Sequence, residues 1–368
     1  MEHCVKDVLE KMRNVLFVIL GIDFSGAENV LVQYLMGNEC IRPTFAFIYR
    51  GAAIRRFKEL FGADSCIELD VKYSKNELRL FPKFSQKKLA DKLLPVIYRT
   101  QPDVVYFNNT LEVTLSGKVV KEIGVPCVGH VHDMKASLGT YPKVRAAEKA
   151  FLQMTEILTV SEACKSSWGN DKMKVVYNGI PDSYYKGEVR RFGQEYRTIG
   201  FVGMLSSRKG FDLLVQAIQE LSDNYLWKIA YNLVEGKLKG LLPILEHMEN
   251  VQLFYQIPSS EMISFYDGID ILVIPSREDP LPTVAIEAMA RRVLVLGSNT
   301  GGIPELVGDE SFLFEKDNAS ALEYSIKKHS ELKNKDFEKN VEKQYQYSRD
   351  RFSDGKKRAA VNAILNAH

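Results

Sequence analysis

Residues 274–289 read Ile-Pro-Ser-Arg-Glu-Asp-Pro-Leu-Pro-Thr-Val-Ala-Ile-Glu-Ala-Met, and their order could hold a phosphorylated ligand. A buried apolar run ends at Ile274, a loop with two acids follows, and a helix starts near Thr283. The free amides of Thr283 and Val284 then lie at the positive end of that helix, a natural phosphate site. Glu287 is one turn on, on the face of Thr283, and its Cβ leans back toward the helix start. It can reach a ribose attached to that phosphate. Asp279 can accept hydrogen bonds from sugar hydroxyls. Taken singly, each acid has a plainer role: Glu287 complements the helix dipole and Asp279 caps the turn.

Two further segments have the same form. In 198–214, Gly203 and Gly210 allow tight turns, and Arg208 and Lys209 precede the helix expected from Phe211. Cations there oppose the helix dipole unless an anion lies between them, and a diphosphate would supply it, with Arg giving forked hydrogen bonds and Lys a point charge. Alone, the pair reads as solvated loop residues. In 297–305, Gly301 and Gly302 let backbone approach a ligand, while Pro304 and Glu305 suit a helix start, which alone is only a well-made connection. In the first half, the amides of Gly26 and Ala27 follow the first strand and could face the same ligand. His132 follows another strand and could bond a sugar hydroxyl, whereas His130 packs.

These loops need strands to carry them. Apolar runs at 15–20, 44–49, 104–107, 125–130, 157–160 and 174–177 read as parallel strands, with helices at 27–36, 85–98, 111–123 and 161–168, the last capped by Ser161. The pattern restarts with strands at 198–202, 227–232, 251–254, 269–274 and 293–297 and helices at 211–221 and 284–291. Such alternation predicts α/β architecture with two doubly wound, Rossmann-like domains. The boundary is expected in the polar stretch 181–197, giving domains 1–188 and 189–350, with a C-terminal helix, 351–368, packing on the first. Two facing sheets would leave a cleft at the carboxyl ends of their strands, where ligands of open α/β folds bind.

The 368-residue length fits two domains, and 45% hydrophobic with 26% charged residues excludes wholesale disorder. No apolar run approaches the ~20 residues of a membrane span, and residues 1–11 lack the apolar core of a secretory signal. Five scattered cysteines without CxxC spacing argue against structural zinc and a disulfide framework, and fit a cytoplasmic setting. Residues 1–190 carry 27 basic against 22 acidic side chains, and the remainder 22 against 25. That asymmetry is too small to imply nucleic-acid binding. A G-x-G-x-x-G fingerprint, a G-x-x-x-x-G-K-[ST] loop and a D-x-D pair are all missing, so no cofactor and no metal is expected.

Together the segments resemble the retaining glycosyltransferase family four, of GT-B fold. The matching stretches are Ser25-Gly-Ala-Glu28, His132-Asp133, 175–180, 200–203 with Arg208-Lys-Gly210, 275–289 and 301–305, in the family's order. The resemblance implies a metal-independent transfer, with retention, of a hexose-type sugar from a nucleotide diphosphate to a glycan or lipid-linked acceptor in polysaccharide synthesis. It implies that Lys209 binds the diphosphate, Glu287 the ribose and the loop Leu281, Pro282, Thr283, Val284 the phosphate, with His132 toward the transferred sugar. It makes His132, Lys209 and Asp279 the catalytic candidates. The donor contacts would come from Gly26, Ala27, Arg208, Lys209, Glu278, Asp279, Leu281, Thr283, Val284 and Glu287.

Two positions depart from the family pattern. Met204 stands where the family often has an arginine, a feature that favours a second reading, a non-catalytic partner of another glycosyltransferase. Asp279, with Glu278 beside it, replaces the family's first glutamate, which shortens its reach and bears on donor preference. A nucleotide-sugar epimerase is a third reading. In the first half, Lys83, Lys87, Lys88 and Lys92 alternate with Phe84, Leu89, Leu93 and Leu94. This is foremost a surface helix, and secondly a peripheral contact with the inner face of an anionic membrane.

Overall fold

The computed structural model describes residues 12–22, 26–187, 197–221 and 225–368. The chain divides into two compact units, one of Met1–Gly179 with Asp354–His368 and another of Ile180–Ser353. The boundary expected at 188–189 lies outside the described residues, as do residues 1–11 and Ser25 of the glycine loop.

The first unit runs β1 (Arg13–Ile19), α1 (Gly26–Leu35), β2 (Ile41–Phe47), α2 (Ala52–Phe61), β3 (Cys66–Glu68), α3 (Lys75–Leu80), α4 (Pro82–Thr100) and β4 (Val104–Phe107). It continues α5 (Thr110–Ser116), α6 (Val119–Glu122), β5 (Cys127–Val131), α7 (Tyr141–Phe151), β6 (Glu156–Thr159), α8 (Glu162–Trp168) and β7 (Lys174–Val175). Its seven strands form a parallel sheet in the order β3-β2-β1-β4-β5-β6-β7. Helices cover both faces, so β4 is buried at every position and reads as an unbroken apolar run. Phe17, Phe45, Phe47 and Phe57 fill the space between sheet and helix, with Phe45 and Phe57 edge-on at 4.8 Å. Burying each such ring stabilises the fold by about 2–3 kcal/mol.

The expected helix 111–123 is two helices, broken where Gly117 passes the side chain of Gln86. In α4, Leu89 and Leu93 are buried in the core, so they leave the apolar surface that the lysine-rich segment suggests. Ser161 caps α8 by accepting the Cys164 N–H at 3.0 Å.

The second unit runs β8 (Thr198–Val202), α9 (Phe211–Glu220), β9 (Leu226–Tyr231), α10 (Leu242–Glu246), β10 (Val251–Tyr255), α11 (Met262–Asp267) and β11 (Ile271–Ile274). Then follow α12 (Thr283–Ala290), β12 (Leu294–Ser298), α13 (Ile303–Val307), β13 (Leu313–Phe314), α14 (Ala319–Ser330) and α15 (Asn334–Phe352). Its parallel sheet has the order β10-β9-β8-β11-β12-β13. Each unit is therefore a doubly wound α/β domain, and the chain has the two Rossmann-like domains of the GT-B fold.

The last helix, α16 (Asp354–Asn366), belongs to the first unit. Val361 and Leu365 join the core that holds Val32 and Leu35. Asn362 accepts the Tyr34 hydroxyl at 2.7 Å, and the buried Lys357 ammonium donates to Val30 O at 3.2 Å. Among the described residues no helix is long and apolar enough to cross a membrane.

Candidate functional site

In the second unit the strand order reverses between β8 and β11, and ligands of open α/β sheets bind outside the carboxyl ends of strands at such a point. Parallel pairing of Ile271 with Ile199 and Leu272 with Gly200 puts the loops after both strands at the same end. Lys209 comes from one loop and Asp279 from the other, and the Lys209 ammonium meets the Asp279 carboxylate at 2.5 Å. The lysine side chain is 20% exposed and the aspartate 5%. The anion expected beside Lys209 is thus supplied from within the chain, by the Asp279 carboxylate.

Backbone contacts fix Asp279. Its carbonyl accepts the Gly302 N–H at 2.9 Å, and a Cβ on Gly301 would stand 2.0 Å from the same oxygen, with φ at +55°. Gly210 is as tightly held: φ is +69°, and a Cβ would stand 1.9 Å from Pro275 O. The glycines thus bring loops into van der Waals contact that any side chain would part.

Arg277 ties the same loops together. Its guanidinium grips Asp212 with two bonds, 2.7 and 2.8 Å, donates to Ser207 O at 2.6 Å and also pairs with Asp317. Its amide donates to Arg208 O at 2.8 Å. The bidentate pairing raises the Arg277 pKa and holds the Asp212 carboxyl below the usual range. Glu235, after β9, accepts the Ser207 N–H at 2.8 Å. The exposed Arg208 donates to Glu278 O at 3.2 Å. Met204 lies half-buried beside these loops.

Pro282 precedes α12 and, among the described residues, no side chain caps that helix; the Ala285 N–H turns back to Pro282 O at 3.1 Å, which leaves the amides of Thr283 and Val284 for a ligand or solvent. Leu281 is buried there, while Thr283 and Val284 are half-buried. One turn in, the buried Glu287 accepts the Tyr266 hydroxyl at 2.7 Å through Oε2, and Oε1 has no protein partner among the described residues. Burial raises the Glu287 pKa to about 7, against the smaller opposing effect of the tyrosine hydrogen bond.

The direction of that shift fixes how stability depends on pH. The folded-state pKa of Glu287 lies above the ordinary 4.5, so the stability it contributes is full below about pH 4.5 and is lost as pH rises through about 7. Glu287→Gln carries no such loss. Between about pH 4.5 and pH 8 the variant is expected to gain on the wild type by up to the order of 3 kcal/mol. Urea midpoints of both proteins across that range measure it, and parallel curves would refute the burial of an ionisable carboxyl here.

In the first unit the order reverses between β1 and β4. Gly26, exposed, and Ala27, buried, open α1 beside that point, and the Asn108 amide approaches Ala27 O at 3.4 Å. His132 lies past the end of β5. Its amide and that of Asp133 both point at Thr110 Oγ1, each at 3.1 Å, and its ring lies 4.1 Å from that of His130. His130 packs inside, with Nδ1 2.7 Å from the Tyr106 hydroxyl. Burial, with Lys357 nearby, pulls the His132 pKa down to about 3. The ring is neutral near pH 7, so it offers hydrogen bonds and no ready proton. Its buried Nε2 has no protein partner among the described residues.

Glu112 in α5 accepts the Leu20 N–H at 2.8 Å through Oε1, while the buried Oε2 has no partner among the described residues. Burial and the neighbouring Glu28 push its pKa up to about 8. Its only sequence signal is an acid set between Leu111, Val113 and Leu115. Among the described residues, no group of three or more His, Cys, Asp or Glu side chains could hold a metal ion.

Residues 187–348 match the family described as glycosyl transferases group 1. TuaC of Bacillus subtilis, assigned by name to teichuronic acid biosynthesis as a glycosyltransferase, is 29% identical over 245 residues, 61% of this chain and 60% of TuaC. The capsular polysaccharide biosynthesis glycosyltransferase CapM of Staphylococcus aureus is 30% identical over 168 residues, 43% of this chain and 42% of CapM. The chain spans about half the length of the curated relatives it matches. Among solved structures, Anabaena HepE in complex with UDP-glucose superposes with a TM-score of 0.80 at 16% identity, over 97% of this chain and 100% of HepE, a likeness of fold.

Proposed function

We propose that this chain, whose residues 187–348 match the glycosyl transferases group 1 family, transfers a hexose-type sugar from a nucleotide diphosphate to a glycan or lipid-linked acceptor, with retention. The observation that carries this reading is the meeting of Lys209 and Asp279 at the β8–β11 reversal, beside an uncapped helix start. A diphosphate placed there takes the ammonium from one side and the amides of Leu281, Thr283 and Val284 from the other. Its charge grows as the glycosidic bond breaks, so these fixed dipoles bind the departing group more tightly than the intact donor. No divalent cation is required. Glu287 accepts from the ribose through Oε1. Once Lys209 turns to phosphate, Asp279 is released to accept from the sugar hydroxyls, with Arg208 and Glu278 at the rim.

Acceptor binding falls to the first unit, where the neutral His132 ring offers a hydrogen bond to a sugar hydroxyl through Nε2. The names of TuaC and CapM support polysaccharide synthesis as the setting, and the HepE complex makes UDP-glucose the first donor to test.

A panel of nucleotide sugars, scored by thermal stabilisation and then by turnover with a chelator present, tests the reading. One donor is expected to stabilise the protein and to be consumed with or without chelator. Binding without turnover on any glycan or lipid acceptor would favour a non-catalytic partner, the reading to which Met204 points. Epimer formation without transfer would favour an epimerase.

A further inference from the structure

We propose that the first unit carries a docking surface for a bilayer containing anionic lipid, built where α3, α4, α6 and α7 meet. A cavity of about 950 Å³ opens there. Leu80, Phe81 and Phe84 line it, yet they are 51%, 60% and 51% exposed. Three neighbouring large apolar side chains held in water lose free energy that any apolar cover would recover.

The charge around them is one-sided. Lys83, Lys121, Arg145 and Lys149 line the same cavity, all exposed, and among the described residues none pairs with a carboxylate. The lining contains one acid, Glu122, which Lys118 already neutralises. Aromatic and aliphatic side chains ringed by cations match the layered chemistry of a lipid surface, where acyl carbon lies beneath anionic phosphate.

The surface is preformed. Gln86 on α4 donates to Thr114 O at 2.7 Å, and Gly117 passes so near that a Cβ would stand 2.9 Å from the Gln86 amide nitrogen. Pro82 in the first turn of α4 holds the chain between Phe81 and Phe84. This grouping differs from the amphipathic stretch visible in sequence: Leu89 and Leu93 turn inward, and the apolar contribution comes from the start of α4 and the end of α3.

Sedimentation of the full chain with vesicles tests the proposal without any assay of transfer. The protein is expected to pellet with phosphatidylcholine vesicles containing phosphatidylglycerol, to stay in solution with phosphatidylcholine alone, and to release as salt rises. Phe81→Ser with Phe84→Ser is expected to weaken binding at least about tenfold. Lys121→Gln, Arg145→Gln and Lys149→Gln together should weaken it similarly and flatten the salt dependence. Lys327→Gln, Lys328→Gln and Lys333→Gln, the same charge change on exposed lysines of the second unit, should leave it unchanged. All these side chains are exposed, so melting temperatures should agree with the wild type. Three results would overturn the proposal: no pelleting with anionic vesicles at low salt, equal binding to pure phosphatidylcholine, or equal loss in the control triple variant.

Discussion

Lys209→Met is expected to lower kcat/KM for sugar transfer by about 10²–10³-fold, since it removes the cation facing the charge that develops on the leaving diphosphate. The variant also leaves the Asp279 carboxylate buried without its partner, at 5% exposure, which should cost a few kcal/mol of stability. The two losses separate in a cycle. Adding Asp279→Asn removes the stranded charge, so the double variant should recover most of the melting temperature while transfer stays low. Wild-type turnover in Lys209→Met, with the variant folded, would end the assignment of this lysine to the diphosphate.

Gly301→Ala is expected to be nearly as damaging, though it touches no ionisable group. The new methyl would stand 2.0 Å from Asp279 O in a left-handed backbone, φ +55°. The conformation costs about 1–2 kcal/mol and the overlap about another 1–3 kcal/mol, unless the two loops part. If they part, the Gly302 N–H loses Asp279 O and the aspartate is no longer aimed at Lys209. Urea midpoints and donor titration should both fall. Gly240→Ala, where a Cβ meets nothing within 4 Å, is the control and should change neither. Equal behaviour of the two variants would mean that the close approach of these loops is unimportant.

The strand, loop and helix that carry the candidate site are legible in the sequence because their signals are local. A buried apolar run, a proline-bearing loop and a helix start lie within 16 consecutive residues at 274–289, and the structure has β11, the loop and α12 there. What fixes those residues was not readable. Tyr266 reaches Glu287 across 21 positions, Arg277 reaches Asp212 across 65, and Ser207 finds Glu235 across 28. Such pairs are chosen by packing between strands, and neither residue type nor spacing announces them. The pairing of Lys209 with Asp279, 70 positions apart, is of the same kind.

Short elements escape for another reason. β3 has three residues and β13 two, too few for any period to show. Glu112 escapes because a lone acid in an apolar helix looks like an exposed position until the neighbouring strands are in place.

The two sheets trace one path. In each, the first three strands step outward to one side and the fourth begins the other, so β1–β4 and β8–β11 are equivalent crevices. Their electrical characters are opposite. At β8–β11 Lys209 and the Arg277 guanidinium are tied to carboxylates, whereas beside β4 and β5 burial favours the uncharged forms of His130, His132 and Glu112. The proposed function uses that contrast: one scaffold drawn twice would take an ionic group at one mouth and uncharged hydroxyls at the other, through side-chain choice at a handful of strand ends.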